Sequence, residues 1–295
     1  MDPLLLITNA EAGGSDDERL AAALTVLRAV TDVEVARTTH PGELDGVLHR
    51  RGGRRIVVAG GDGSLHAVVA ALHRRNELGS TAVALLPMGT GNDFARGTGI
   101  PLDIEAAARL AAHGETRPLD LLVDCVGEVV VNAVHVGVGA EAGRAASSWK
   151  RVVGKVGYPI GAVVAGFRTR GLRLHVEADG QVVADFSRPV VQVAISNGSH
   201  VGGGTELAPD ATPEDGRADV VVSFANSPTA RLGYLLHLVR GVHDQRPDVT
   251  STRATRVRIS GQAFYCNADG DLHGPETDHS WQVETGVLSM VLPAA

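Results

Sequence analysis

The stretch Ile56-Val57-Val58-Ala59-Gly60-Gly61-Asp62-Gly63-Ser64-Leu65-His66-Ala67-Val68-Val69-Ala70-Ala71-Leu72 runs from β-branched residues through a glycine turn into a long apolar segment. That order predicts a strand, a tight turn and the start of a helix. Glycines let the backbone approach an anion, and the open N–H groups and positive dipole end of the following helix then face it. A second segment of this kind follows at Leu86-Pro87-Met88-Gly89-Thr90-Gly91-Asn92-Asp93-Phe94-Ala95-Arg96. Two such loops in succession point to a nucleotide phosphate. Gly61, Gly63 and His66 fall on the pattern G-x-G-x-x-G, so the dinucleotide fingerprint fails at its last glycine, and no G-x-x-x-x-G-K-[ST] occurs. Lys150 and Lys155 are the only lysines, far from both loops in sequence. Charge neutralisation therefore falls to backbone amides, arginine and a metal. Mg²⁺ is usually held by one or two carboxylates plus substrate phosphates, which makes Asp62 and Asp93 the candidate ligands.

Working outward, the runs Leu4 to Ile7, Val33 to Arg37, Ile56 to Ala59 and Ala82 to Leu86 alternate with helical segments, one from about Asp16 to Ala29. Such alternation predicts a doubly wound, parallel α/β sheet with its ligand crevice at the carboxyl ends of the strands. Both glycine segments and Thr8-Asn9-Ala10-Glu11-Ala12-Gly13-Gly14 leave such ends, so three loops are expected on one rim. Thr38 and Thr39 end a strand on the same side. From about Pro118 the texture changes to short β-rich runs: Leu119 to Cys125, Val129 to Val134, Leu172 to Ala178, Val190 to Ile195, Ala218 to Val222 and Val257 to Ile259. A mainly antiparallel sandwich accommodates them, interrupted by helices near Val152 to Arg168 and Thr229 to Val239, with Arg246 to Thr252 as a loop.

The chain has 295 residues, 44% hydrophobic and 21% charged, enough for two domains. The net charge of −7 argues against bulk attraction to nucleic acid or anionic lipid. Cys125 and Cys266 make no metal pattern and read as ordinary thiols. Met1 to Ile7 carries an acid where a signal peptide needs a positive n-region. The apolar stretch Val152 to Phe167 is broken by Lys155 and Pro159 and falls short of the ~20 residues of a bilayer span. The expected location is the cytoplasm. The histidines form no H-E-x-x-H, and His66 reads as an exposed or half-buried helix residue.

Gly60 to Ser64 together with Pro87-Met88-Gly89-Thr90-Gly91-Asn92-Asp93-Phe94-Ala95-Arg96 closely resembles the catalytic domain of the diacylglycerol kinase and sphingosine kinase family. Ser196-Asn197-Gly198-Ser199-His200-Val201-Gly202-Gly203-Gly204, Ala208-Pro209-Asp210-Ala211 and Asp215-Gly216-Arg217-Ala218-Asp219-Val220 resemble its second-domain signature, and Asp269-Gly270-Asp271 its D-G-E element. The first glycine turn is shared with phosphofructokinases and NAD kinases; the G-T-G-N-D-F-A-R run is far more specific.

The resemblance implies a nucleotide-binding α/β domain over residues 1–118, NAD kinase/phosphofructokinase-like, completed by a final strand returning at about 286–295. A β-sandwich lipid-substrate domain would span 119–285. It implies ATP and Mg²⁺ as cofactors and transfer of the γ-phosphate to a lipid hydroxyl, with diacylglycerol converted to phosphatidic acid as the leading reaction in phospholipid biosynthesis. Sphingoid bases, ceramide or another lipid alcohol are the nearest alternatives. A kinase of a soluble acceptor such as NAD and a non-catalytic lipid-binding regulator also stay open. The enzyme would meet its lipid transiently at the membrane surface, as a peripheral protein, and relatives suggest a homodimer.

On this basis Asn9, Thr39, Gly60, Gly61, Asp62, Gly63, Ser64, Gly89, Thr90, Gly91, Asn92 and Asp93 are the expected nucleotide contacts. Asp62 and Asp93 would carry the catalytic Mg²⁺, and Asp269 is the expected catalytic base. Phosphoryl transfer needs alignment and charge neutralisation more than covalent chemistry, so a base near the acceptor completes the set. Asp271 stands where relatives have glutamate and is one methylene shorter, which changes the reach of its carboxylate toward metal or base. In soluble bacterial relatives a segment like Thr212 to Arg217 holds a structural Mg²⁺, which would place Asp215 on that ion with Asp120 joining through water. An acidic surface turn fits the same residues equally well.

Overall fold

The computed structural model describes residues 3–9, 14–137 and 171–294. The first half is the expected parallel α/β layer. Strands β1 (Leu4–Asn9), β2 (Val33–Thr38), β3 (Arg55–Gly60) and β4 (Val83–Pro87) pair in parallel in the order β2-β1-β3-β4. Helices α1 (Gly14–Arg28), α2 (Leu44–His49), α3 (Asp62–Arg74), α4 (Asp93–Gly97) and α5 (Ile104–His113) complete it. Parallel strands covered on both faces must be apolar throughout, and Leu4 to Ile7, Ile56 to Ala59 and Val83 to Leu86 are all buried. One face packs on Leu65, Val68, Val69 and Leu72 of α3, the other on Leu20, Ala23 and Leu27 of α1 and on the alanines of α5.

The second half is antiparallel. Strands β5 (Glu115–Asp124), β6 (Val129–Val130), β7 (Ala133–Gly137), β8 (Leu174–Ala178), β9 (Gln181–Ala184), β10 (Gln192–Ser196), β13 (Ala218–Ser223), β14 (Val249–Ala254), β15 (Arg256–Ala268) and β16 (Asp271–Leu292) surround a separate core containing Phe264, Trp281, Val176, Val193 and Ile259. Between β10 and β13 lies a small hairpin, β11 (His200–Val201) with β12 (Thr205–Glu206). Helix α6 (Pro228–Val239) begins at Ser227, whose hydroxyl accepts the Ala230 N–H, and carries a proline in its first turn, both regular helix-start devices.

The two halves share one sheet through β16. Its first part pairs with β15, its last part runs parallel to β4 at Met290 and Val83, and β5 follows it on both sides of a register shift between Glu284 and Leu288. Gly286, at φ +64°, sits in that shift, and its N–H donates to Asp120 Oδ1 at 2.8 Å. A left-handed glycine lets the strand change direction where it leaves the sandwich for the α/β layer. The end of the chain thus runs beside β4 in the α/β layer, in a strand that begins at Asp271.

Two expectations change. Arg246 to Thr252 is not a loop throughout: Val249 to Ala254 pairs antiparallel with β13, because alternating Val249, Ser251 and Arg253 satisfy an edge strand as well as a turn. Val129 to Val134 is two strands separated at Val131 and Asn132, whose backbone amides are used elsewhere. The helix expected near Val152 to Arg168, and the tip of the Thr8 to Gly14 loop, lie outside the described residues.

Candidate active site

The two glycine loops meet backbone to backbone. A Cβ placed on Gly61 would come within 2.9 Å of Gly89 Cα, and one on Gly89 within 2.5 Å of Gly61 Cα. No other residue type fits either position without displacing the opposite chain. Gly60 is constrained too, since a Cβ there would lie 2.5 Å from Ser64 Cβ, which a rotation of the hydroxyl does not move. Asn92 closes the second loop by pairing both ends of its amide with Gly89, accepting from the N–H and donating to the C=O at 2.9 Å each. Its φ of +50° is the left-handed conformation that asparagine tolerates. Thr90 stays exposed at the loop tip.

Asp62, in the first turn of α3, bridges the loops. Its Oδ2 accepts the Asp93 N–H at 3.1 Å and its Oδ1 the Phe94 N–H at 3.0 Å, so it caps α4 from a distance of 31 residues in sequence. Burial, joined by the nearby charge of Asp93, lifts the Asp62 carboxyl above its ordinary pKa against the pull of these amides. Asp93 reaches the other half of the molecule: its carboxylate accepts the N–H groups of Gly203, at 2.9 and 3.0 Å, and Gly204, at 2.7 Å. The turn between β11 and β12 is therefore tied to the second glycine loop, and Gly203 and Gly204 adopt left-handed φ values of +92° and +104° to present those amides.

Beside the first loop is a cleft of about 360 Å³ lined by Ile7, Thr8, Asn9, Thr38, Thr39, His40, Leu44, Gly61, Gly63, Ser64 and Val68. Asn9, Thr39, Gly61, Gly63 and Ser64 were all expected from sequence to touch a nucleotide, and they converge here. No side chain caps α3; the Ser64 and Leu65 N–H groups donate to Gly61 O at 3.0 and 3.1 Å, which leaves the Gly63 N–H of the first turn available to an anion.

Divalent-ion chemistry fits this arrangement in part. A Cβ on Gly91 would lie 3.2 Å from Asp93 Oδ2 and 3.3 Å from Asp62 Oδ2, so these two hard oxygens share one neighbourhood. Each Asp62 oxygen accepts a single amide and keeps a lone pair. Among the described residues no group of three or more His, Cys, Asp or Glu could hold a metal alone. An ion at Asp62 and Asp93 would therefore need oxygens from a bound phosphate to complete its shell.

Asp215 is engaged by protein groups in this structure. Its Oδ2 pairs with Arg253, and its Oδ1 accepts the Arg217 N–H at 3.1 Å. Asp120, its expected water-linked partner, is occupied by the amides of Gly216 at 2.6 Å and Gly286. The Arg253 guanidinium sets a positive charge beside this carboxylate.

Asp269 and Gly270 form the two-residue turn between β15 and β16, with φ +48° and +104° and the flanking pair Ala268 and Asp271 in register. Asp-Gly is the favoured sequence for a tight hairpin with both central residues left-handed. Its side chain is 3% exposed and fully engaged. Oδ1 accepts the N–H groups of Asn132 at 2.9 Å and Ala133 at 3.1 Å; Oδ2 accepts that of Val131 at 2.6 Å and that of His66 Nδ1 at 2.9 Å. Asp271 is exposed.

His66 is the residue the sequence undervalued. It is half-buried, one helical turn after Asp62 on α3, and it crosses to the second half of the molecule. Burial alone would lower its pKa, but the hydrogen bond and charge of Asp269, with the charges of Asp271 and Glu128, hold it above the ordinary histidine value. A second histidine, His135 on β7, has a buried Nδ1 without a hydrogen-bond partner. Burial pushes its pKa down to about 4, although Asp269 and Asp93 pull the other way. Asn132 was also missed; its Nδ2 donates to His200 O at 2.6 Å, and its backbone C=O accepts the N–H groups of Asn197 and Gly198. A signal was available for His66, at spacing i+4 from Asp62, but none for Asn132, whose partners are more than 60 residues away.

Among the described residues no helix is long and apolar enough to cross a membrane. Residues 3–123 match the diacylglycerol kinase catalytic domain, and residues 132–292 match the YegS C-terminal NAD kinase beta sandwich-like domain. A Pseudomonas aeruginosa protein named "Probable lipid kinase YegS-like" is 30% identical, over 99% of this chain and 95% of its own length. A Stenotrophomonas maltophilia protein of the same name is 32% identical over 98% and 96%. A solved structure described as a diacylglycerol kinase from Bacillus anthracis str. Sterne superposes with a TM-score of 0.73 at 20% identity, covering 99% of this chain and 97% of that one, a likeness of fold. The chain belongs to the YegS-like lipid kinase family, with a diacylglycerol kinase catalytic domain followed by the YegS C-terminal domain.

Proposed function

We propose that this protein is an ATP- and Mg²⁺-dependent lipid kinase that phosphorylates diacylglycerol to phosphatidic acid. The observation that carries the reading is the chain of contacts from Gly61 and Gly89 through Asp62 and Asp93 to Gly203 and Gly204, which gathers both phosphate loops and the second domain at one place. Asn9 and Thr39 would line the nucleoside, while Gly60, Ser64 and the Gly63 amide would receive its phosphates. Asp62 and Asp93 would hold Mg²⁺, which when bound supplies neutralisation of the phosphate charge. Gly89, Thr90, Gly91 and Asn92 would close over the phosphates from the other side.

The chemistry left to the protein is alignment of a hydroxyl with the γ-phosphorus and removal of its proton. The Asp93 tie to the β11 and β12 turn makes that alignment depend on both halves of the molecule. Diacylglycerol as acceptor rests on the family, since specificity resides in pocket shape. Membrane contact follows from an acceptor that lives in a bilayer. The test is thin-layer separation of products after incubating the purified chain with labelled Mg²⁺-ATP and a panel of diacylglycerol, ceramide, sphingosine and NAD. Label in phosphatidic acid alone is the expected result; label in NAD alone would replace the lipid reading.

A further inference from the structure

Strand β7 starts at the turn that holds Asp269. The Ala133 N–H donates to Asp269 Oδ1, and Ala133 O accepts the Asp269 N–H, each at 3.1 Å. His135 follows two residues on, on the same face of the strand. Across the sheet it lies opposite Asn267 of β15, two residues before Asp269, and opposite Ala194 of β10. Residues opposite one another in antiparallel strands share a face, so these three form one row. Their neighbours Val134, Val136, Ile195 and Cys266 point the other way, into the sandwich core. On the side of His135, Ala194 packs with Val201 of β11 and with Leu207 just after β12. The turn of that hairpin supplies the Gly203 and Gly204 amides to Asp93. His135 therefore stands on one sheet face between the hairpin tied to Asp93 and the turn that holds Asp269.

The Nδ1 of this ring is buried and has no hydrogen-bond partner, while the residue as a whole is half-buried. Burial keeps the imidazole neutral, with its pKa at about 4 although Asp269 and Asp93 both pull it up. A neutral imidazole has one N–H and one bare nitrogen. Unpaired donors are rarer in protein interiors than unpaired acceptors, so the bare nitrogen belongs at Nδ1 and the N–H at Nε2. The carboxylates of Asp93 and Asp269 can only accept hydrogen bonds, whereas this N–H donates one and brings no charge.

We propose that His135 is a specificity-determining residue whose Nε2–H donates to an ester carbonyl beside the reacting hydroxyl of the acceptor lipid. The proposal rests on the kinase reading above and adds to it the feature by which the acceptor is told from its analogues. In a diacylglycerol the carbon next to the one bearing the hydroxyl carries such an ester. In a sphingoid base the same position carries an ammonium, which has no lone pair to give and leaves the N–H unpaired. A dialkylglycerol with ether links matches the diacyl compound in charge and chain length but lacks the carbonyl. A site with a placed donor rejects analogues that cannot pair with it.

The experiment measures kcat/KM of the full chain with Mg²⁺-ATP for a diacylglycerol and for the dialkylglycerol of the same chain length, each in mixed micelles. The parent should prefer the diacyl compound by about 3- to 10-fold, the worth of one hydrogen bond. His135→Leu should abolish that preference by losing rate on the diacyl compound alone. His135→Gln, whose amide N–H reaches to a similar distance, should keep it. The unfolding midpoint of His135→Leu should equal or exceed that of the parent, because the change removes a buried nitrogen that has no partner. A parent that phosphorylates both compounds equally well would overturn the proposal and leave the kinase reading intact. So would a folded His135→Leu protein that retains the preference, or that loses rate on both compounds in equal proportion. A parent inactive on both compounds and on every other lipid would remove the kinase reading, and the proposal with it.

Discussion

Two Asp-Gly turns in this molecule have the same backbone and opposite surroundings. Asp179-Gly180 joins β8 to β9 with φ +49° and +79°; Asp269-Gly270 joins β15 to β16 with +48° and +104°. In both, the aspartate carboxylate reaches out of the turn to collect backbone amides. Asp179 takes those of Thr255 and Arg256, plus the Thr255 hydroxyl, at the surface. Slight burial raises its carboxyl pKa, but these donors outweigh that and leave it below the ordinary value. Asp269 takes Val131, Asn132 and Ala133, and then adds His66 from a different domain. The turn geometry is common to both; the histidine ties one of the two turns to helix α3 of the other half.

The largest effect that can break this comparison is Asp269→Ala. It would leave three buried amides without an acceptor at about 1–3 kcal/mol each and release His66, so both stability and phosphate transfer should collapse. A stable and active variant, measured by urea unfolding and turnover, would show that the two turns are equivalent. Asp179→Ala should cost only about 1 kcal/mol, since water can replace an exposed acceptor, and should leave turnover unchanged. Any marked loss of activity there would mean that the sandwich edge matters to catalysis. Gly180→Ala and Gly270→Ala isolate the backbone. Neither Cβ would meet an atom within 4 Å, so each should cost about 1–2 kcal/mol from left-handed φ alone. Markedly unequal costs would show that the turns differ in conformation as well as in partners.

The smallest effect is a pH dependence. His66 has a folded pKa above its unfolded value of about 6.5, so its pairing with Asp269 contributes fully below that pH and is lost as pH rises through the folded value. Unfolding midpoints across this range should fall with pH in the parent and flatten in His66→Asn, whereas Asp179→Ala should keep the parent's slope. An identical slope in parent and His66→Asn would deny the pairing.

The parts legible in the sequence are those whose cause is local. Alternating apolar runs gave the parallel layer, and the glycine segments marked the loops that touch at Gly61 and Gly89. The Asp-Gly dipeptide announced a tight turn even where it was read first as chemistry. The parts that were not legible depend on partners distant in the chain. Asp62 caps a helix 31 residues on, Asp93 ties to amides 110 residues on, and Asp269 meets His66 across 203 residues. The partner of Asp215 is of the same kind: Arg253 lies 38 residues on, in a strand partly read as a loop.

The central claim is that the gathered loops transfer phosphate to a lipid hydroxyl. Its most direct test is the rate at which purified parent chain, Asp62→Ala and Asp93→Ala move label from γ-labelled Mg²⁺-ATP to diacylglycerol, with folding verified for each. The account predicts labelled phosphatidic acid from the parent and a rate lower by about 10²-fold or more in both folded variants, as for loss of preorganised charge stabilisation. Near-parental rates in either variant, or no lipid labelling by the parent, would contradict it.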